Sequence, residues 1–68
     1  MIWNKGIPEI NQTENGHFVS RRVIVKTKSG YIMDAQAMYD MDGGEKWYLR
    51  PTDDLESLDY IEGWIELP

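Results

Sequence analysis

The chain carries one histidine, three serines and no cysteine, so nucleophilic or acid–base chemistry has few groups to use. A histidine acting as general base needs a partner that orients its ring and a substrate proton within reach. His17 follows Asn15-Gly16 with no acid beside it, and it is read as a surface-loop histidine. Ser20, Ser29 and Ser57 lie outside any Gly-x-Ser-x-Gly elbow. They are assigned to a strand start, a turn and a helical surface. Without a thiolate there is no cysteine nucleophile and no zinc–sulfur site. The expectation is a protein that is not an enzyme.

The run Asp40-Met41-Asp42-Gly43-Gly44-Glu45 opens like a calcium loop, with two acids two apart and a glycine. Such a loop needs a third ligand at its fifth position and a bidentate glutamate at its twelfth. Gly44 and Pro51 stand there, so the run is read as a hairpin turn that uses Asp and Gly for backbone reasons. Gly43-Gly44 also lacks the lysine and spacing of a phosphate-binding loop. No metal and no cofactor is expected.

Charge is the more informative chemistry. Residues 1–30 hold Lys5, Arg21, Arg22, Lys26 and Lys28 against Glu9 and Glu14, a balance of +3. Residues 31–68 hold Lys46 and Arg50 against ten acids, a balance of −8, which leaves the chain at −5. Nucleic-acid binding rests on clustered Lys and Arg. The modest strip of Arg22, Lys26 and Lys28 is therefore read as a solvated sheet face, and a nucleic-acid partner is not expected. The densest acidic run is Asp53, Asp54, Glu56, Asp59 and Glu62. One-signed charge steers a partner of opposite sign, so these five acids are the candidate contact residues for a basic protein surface.

Sixty-eight residues make one domain, residues 1–68. A chain this short buries only about 60% of its unfolded surface, and without disulfides large side chains must supply the core. Trp3, Trp47 and Trp64 are assigned to it, meeting from the first arm, the last meander strand and the final segment. The longest apolar run, Val23-Ile24-Val25, is far below the roughly 20 residues that span a bilayer. No basic segment precedes an apolar run as in a signal peptide. A soluble protein of a reducing, cytoplasmic compartment, without membrane contact, is the expectation.

The elements that must position these residues are read from periodicity. Residues 1–18 sustain neither a helical nor a strand period and are expected to form an irregular arm with a turn at Asn15-Gly16. Residues 19–28, 31–41 and 45–50 read as strands. If Lys28-Ser29-Gly30 is a three-residue loop, Val25 faces Met33 and Val23 faces Ala35, with the hydrophobes on one face; a two-residue loop would mix the faces. The same argument at Asp42-Gly43-Gly44 places Tyr39 opposite Trp47 and Ala37 opposite Leu49, with Gly44 left-handed. Asp53 and Glu56 match a capping box, predicting a short helical turn with Leu55 and Leu58 three apart. Residues 61–67 are a candidate fourth strand. Tyr48, Ile24, Ile32 and Met38 fall on the second sheet face, which must be covered by the terminal segments or by another subunit. The fold class is β-rich α+β: a three- to four-stranded antiparallel sheet, a meander at about 20–50, with N- and C-terminal arms and one short helical turn.

The order of Trp3, Ile7-Pro8, Val23-Ile24-Val25, Gly30, Ala37-Met38-Tyr39, Trp47 and the ending Ile61-Glu62-Gly63-Trp64-Ile65-Glu66-Leu67-Pro68 resembles the family known as domain of unknown function 551. The resemblance covers nearly the whole chain, and its most specific part is the hydrophobe-x-x-Trp-x-x-Leu-Pro ending. It implies a small β domain of bacteriophages, prophages and their bacterial hosts, and it carries over no catalytic residue. The function expected is protein–protein interaction, with a host factor as the partner of the acidic half. A self-associating structural domain is the alternative.

Overall fold

The computed structural model describes residues 2–68. Seven strands form one antiparallel sheet: β1 (Ile10–Glu14), β2 (His17–Ser20), β3 (Val23–Thr27), β4 (Ile32–Tyr39), β5 (Glu45–Leu49), β6 (Asp54–Glu56) and β7 (Ile61–Glu66). The β-rich, antiparallel character matches expectation. The expected three to four strands undercount it, and the helical content of the described residues is a single 3-10 turn at Leu58–Tyr60.

The first loop follows the sequence argument. Val25 pairs with Met33 and Val23 with Ala35. Gly30 takes φ 96° and its amide donates to the Thr27 carbonyl, while Thr27 N donates to Tyr31 O. The second loop repeats that geometry one residue earlier than expected. Gly43 rather than Gly44 is left-handed (φ 86°), Gly43 N donates to Asp40 O and Asp40 N to Gly44 O. Ala37 therefore faces Trp47 and Tyr39 faces Glu45. A shift of two residues along the ladder leaves every side chain on its expected face. What changes is the neighbour: the indole of Trp47 sits across from a methyl group instead of a second aromatic ring.

The N-terminal arm is more ordered than its composition implies. β1 and β2 close around Asn15-Gly16, both at positive φ (52° and 81°), as a two-residue hairpin loop requires. β2 and β3 share one edge of β4, but their registers differ by one residue, with Val19 opposite Met38 and Val23 opposite Ala35. Such an extra residue is a bulge. Ser20, fully buried, fills it: its hydroxyl accepts from Ala37 N (2.9 Å) and donates to Arg21 O (2.8 Å). Ser20 thus ends a strand, where a strand start was expected.

The short helical turn expected to start at Asp53 forms only further on, as the 3-10 turn at Leu58–Tyr60. An N-cap residue sits in the extended region, whereas Asp53 is left-handed at φ 57°. That conformation turns the chain back after Pro51-Thr52, and Asp54–Glu56 pairs with β5 as an edge strand, Leu55 opposite Tyr48. β7 is the additional strand, and it lies against β3. On its outer edge Asn4 and Trp64 exchange both backbone hydrogen bonds (2.8 and 3.0 Å), tying the first residues to the last strand.

The main core cluster lies on one face: Val23, Val25, Ala35, Ala37, Trp47, Leu49 and Ile61, with Ile7, Ile10, Met33 and Trp64 packed against it, while Val19 and Met38 are buried on the other. Trp47 is its largest buried side chain. Trp64 flanks the cluster and Trp3 is half-buried, its Cβ over Gly63.

Candidate functional site

The opposite face of the sheet carries a cleft of about 370 Å³. Its floor is Val19 and Met38, cross-strand neighbours on β2 and β4, with Tyr48 of β5 beside them. One wall is the β1–β2 turn, with Glu14, Asn15 and His17; the other is the β5–β6 turn and β6, with Arg50, Asp53 and Leu55. The N-terminal segment borders this region at one side. A hairpin that the sequence presents as an irregular arm forms a side wall, and the space above Tyr48 stays accessible.

Polar contacts hold the two walls. The Tyr48 hydroxyl donates to Asp53 Oδ1 at 2.7 Å, and that bond, ahead of partial desolvation, pushes the phenol above its ordinary range. The Arg50 guanidinium stacks 4.7 Å from the Tyr48 ring centroid. Its Nη1 donates to Glu14 Oε2 and to Gln36 Oε1, both at 3.2 Å. Gln36 is buried beneath, its amide nitrogen donating to Ser20 O at 2.9 Å. A buried amide with both ends paired carries little penalty, and this one fixes Arg50 over the β2–β4 junction.

The five acids singled out in the sequence are not one surface. Asp53 lines the cleft and is bound by Tyr48. Asp54 and Glu56 sit on edge strand β6 and Asp59 in the 3-10 turn. Glu62, on β7, is 3.4 Å from Lys26, and its carbonyl accepts from Lys5 Nζ. Among the described residues Asp54, Glu56 and Asp59 have no ion-pair partner.

Three of the five cations of the first half, Arg21, Arg22 and Lys26, form ion pairs within the fold. Arg21 grips Glu66 through two hydrogen bonds, which hold the Glu66 carboxyl below the usual glutamate range. Arg22 lies 3.6 Å from Asp34 and Lys26 reaches Glu62. The strip that reads as a solvated face is interleaved with acids from β4 and β7.

His17 is exposed, the first residue of β2 opposite Glu14 and not a loop residue. Asp40 and Asp42 spend their carboxylates on turn amides, Asp40 on Met41 N (2.8 Å) and Asp42 on Gly44 N (2.9 Å). Among the described residues no three His, Asp or Glu side chains are grouped as a metal ion requires. No helix there is long and apolar enough to cross a membrane.

Glu14, Arg50 and Gln36 are the site residues that periodicity does not reveal. One signal was present: pairing the residues on either side of Asn15-Gly16 brings Glu14 opposite His17. Comparison with protein-family models, with curated proteins and with solved structures gave no match.

Proposed function

We propose that the chain is a non-enzymatic interaction module that engages a basic protein surface through its acidic half. The observation that carries this reading is the asymmetry of charge pairing. Among the described residues, the three ion pairs of the first half's cations draw on Asp34, Glu62 and Glu66, while Asp54, Glu56 and Asp59, on edge strand β6 and the turn after it, have no ion-pair partner. Exposed charge of one sign accelerates encounter with a complementary surface and makes the association salt-dependent. Charges on an edge strand also deter strand addition by a second chain, so contact by side chains is favoured over backbone pairing. The resemblance noted above supplies the setting of this proposal, a phage or prophage protein acting on a host factor in the bacterial cytoplasm.

The test is capture of partners from host lysate over a salt series, with the wild-type chain and with a triple variant, Asp54→Asn, Glu56→Gln, Asp59→Asn. The expected result is a partner retained at low salt, released as salt rises, and lost by the triple variant while its circular dichroism is unchanged. Equal capture by both chains, with equal salt dependence, refutes the reading.

Self-association is the second reading, favoured by one observation. Phe18 (61% exposed) and Tyr39 (42% exposed) are the chain neighbours of the paired Val19 and Met38, and Met41, two residues after Tyr39, is fully exposed. Sedimentation at high concentration decides it; a strict monomer excludes it.

A further inference from the structure

We propose that the cleft above Tyr48 receives one arginine side chain of the basic partner. The inference rests on the reading just given and names the residue type by which that partner would be anchored.

Size comes first. At about 370 Å³ the cleft is near the lower end of the roughly 300–1,000 Å³ typical of ligand sites. That suits one long side chain with the backbone that carries it.

Charge comes second. Two carboxylates, Glu14 and Asp53, stand at opposite walls against one guanidinium, Arg50. Arg50 is already committed to Glu14, to Gln36 and to the Tyr48 ring. With His17, the other titratable group of the wall, counted neutral, the remaining formal charge is one negative unit, which selects a single cation and disfavours an anion.

The apolar surface comes third. Val19 and Met38 close the floor but are buried (3% and 7% exposed), so the apolar surface open to a ligand is that of half-buried Tyr48 and of Leu55, half-exposed on the β6 lip opposite it. A bare ammonium or metal ion would leave this surface unused. Long cationic side chains lay their methylenes along such surface and keep the charged head at the rim. Arginine suits the site better than lysine. Its guanidinium is planar, weakly hydrated and able to meet carboxylates on two sides. Arginine is also among the residues that dominate interface energies when seated in a pocket.

The rims are set in advance of binding. Asn15 and Asp53, one on each wall, are the described non-glycine residues at positive φ. Asp53 is further held by the 2.7 Å bond from Tyr48.

The probe is N-acetyl-arginine amide, titrated into isotope-labelled protein and followed by amide chemical shifts. The acetyl amides of norleucine and glutamate serve as controls. The expected result is saturable shifts confined to Glu14, Tyr48, Asp53 and Leu55 with the arginine probe alone. Two substitutions should each weaken it about fivefold. Asp53→Asn keeps both the left-handed preference and an acceptor for Tyr48. Glu14→Gln removes the other carboxylate charge. No saturable shift, equal shifts with either control, or full affinity in both variants overturns the proposal. Asp54, Glu56 and Asp59 do not line the cleft. Their triple variant therefore tests the acidic edge alone, and a silent arginine probe with intact salt-sensitive capture removes this inference while leaving the broader reading standing.

Discussion

Ser20 shows how one small polar side chain sets the register of a sheet. It is fully buried where β2 passes into β3, and its hydroxyl serves Ala37 N and Arg21 O at once. Replacing it with alanine leaves a buried donor and an acceptor unpaired, each costing about 1–3 kcal/mol less whatever water recovers. We expect Ser20→Ala to lower unfolding free energy by roughly 1–3 kcal/mol in urea titration, with the m-value unchanged. A loss below a few tenths would show that the bulge is held by the backbone alone. The sequence marks Ser20 only as a polar residue beside a β-branched run. Its role arises from a one-residue mismatch between two pairings on β4, and no local pattern encodes such a mismatch. Arg50 was similarly opaque. It reads as the end of a strand before Pro51, and its partners Glu14 and Gln36 are brought to it by separate pairings, one of them through the N-terminal hairpin.

At the scale of elements, legibility follows the strength of alternation. Residues 23–39 alternate clearly, and their hairpin was readable to the residue. The β4–β5 hairpin was readable in its faces but not its register, because two adjacent glycines could each supply the left-handed position. β6 was misread because Asp53 and Glu56 also fit a capping box, and a three-residue strand is too short for a period to contradict it. The β1–β2 hairpin was hidden by polar residues that need no buried face. β7 was legible as a candidate, and its decisive feature is Gly63. A Cβ there would lie 2.7 Å from Trp3 Cβ and 3.0 Å from Asn4 O. Backbone on one side and a tryptophan stem on the other cannot both yield. Gly63→Ala should therefore displace the first residues from the β7 edge, at a cost of about 1–3 kcal/mol. Hydrogen exchange reads this directly. The Asn4 and Trp64 amides, which pair with each other's carbonyls, should lose protection while β4 and β5 keep theirs. Unchanged protection at Asn4 would mean that the arm tolerates the methyl group and that the close approach is not constraining.

For the whole molecule, the Cα radius of gyration is 11.0 Å, against about 11 Å for a compact chain of this length, and the Asn4–Trp64 bridge holds the N-terminal arm on the sheet. Compactness is achieved with one modest cluster, and Trp47 lies at its centre with 1% of its surface exposed. Domains of this size are stable by roughly 0.05–0.15 kcal/mol per residue, or about 3–10 kcal/mol here. Removing a buried tryptophan to alanine costs about 3–5 kcal/mol. The two ranges overlap, so Trp47→Ala should leave the chain largely unfolded at 37 °C. Trp47→Phe, which keeps an aromatic ring opposite Ala37, should remain folded with a lower midpoint. Trp64 sits at the periphery, half-buried beside Arg21, and Trp64→Phe should shift the midpoint less than Trp47→Phe. Thermal melts followed by far-ultraviolet circular dichroism separate these cases. If Trp47→Ala still melts cooperatively within a few degrees of wild type, the stability of the domain does not rest on this cluster. It would then have to come from the ion pairs and hydrogen bonds that join the two oppositely charged halves. Exposed pairs of that kind contribute only about 0–1 kcal/mol each, and the four among the described residues are not enough to replace the burial of Trp47.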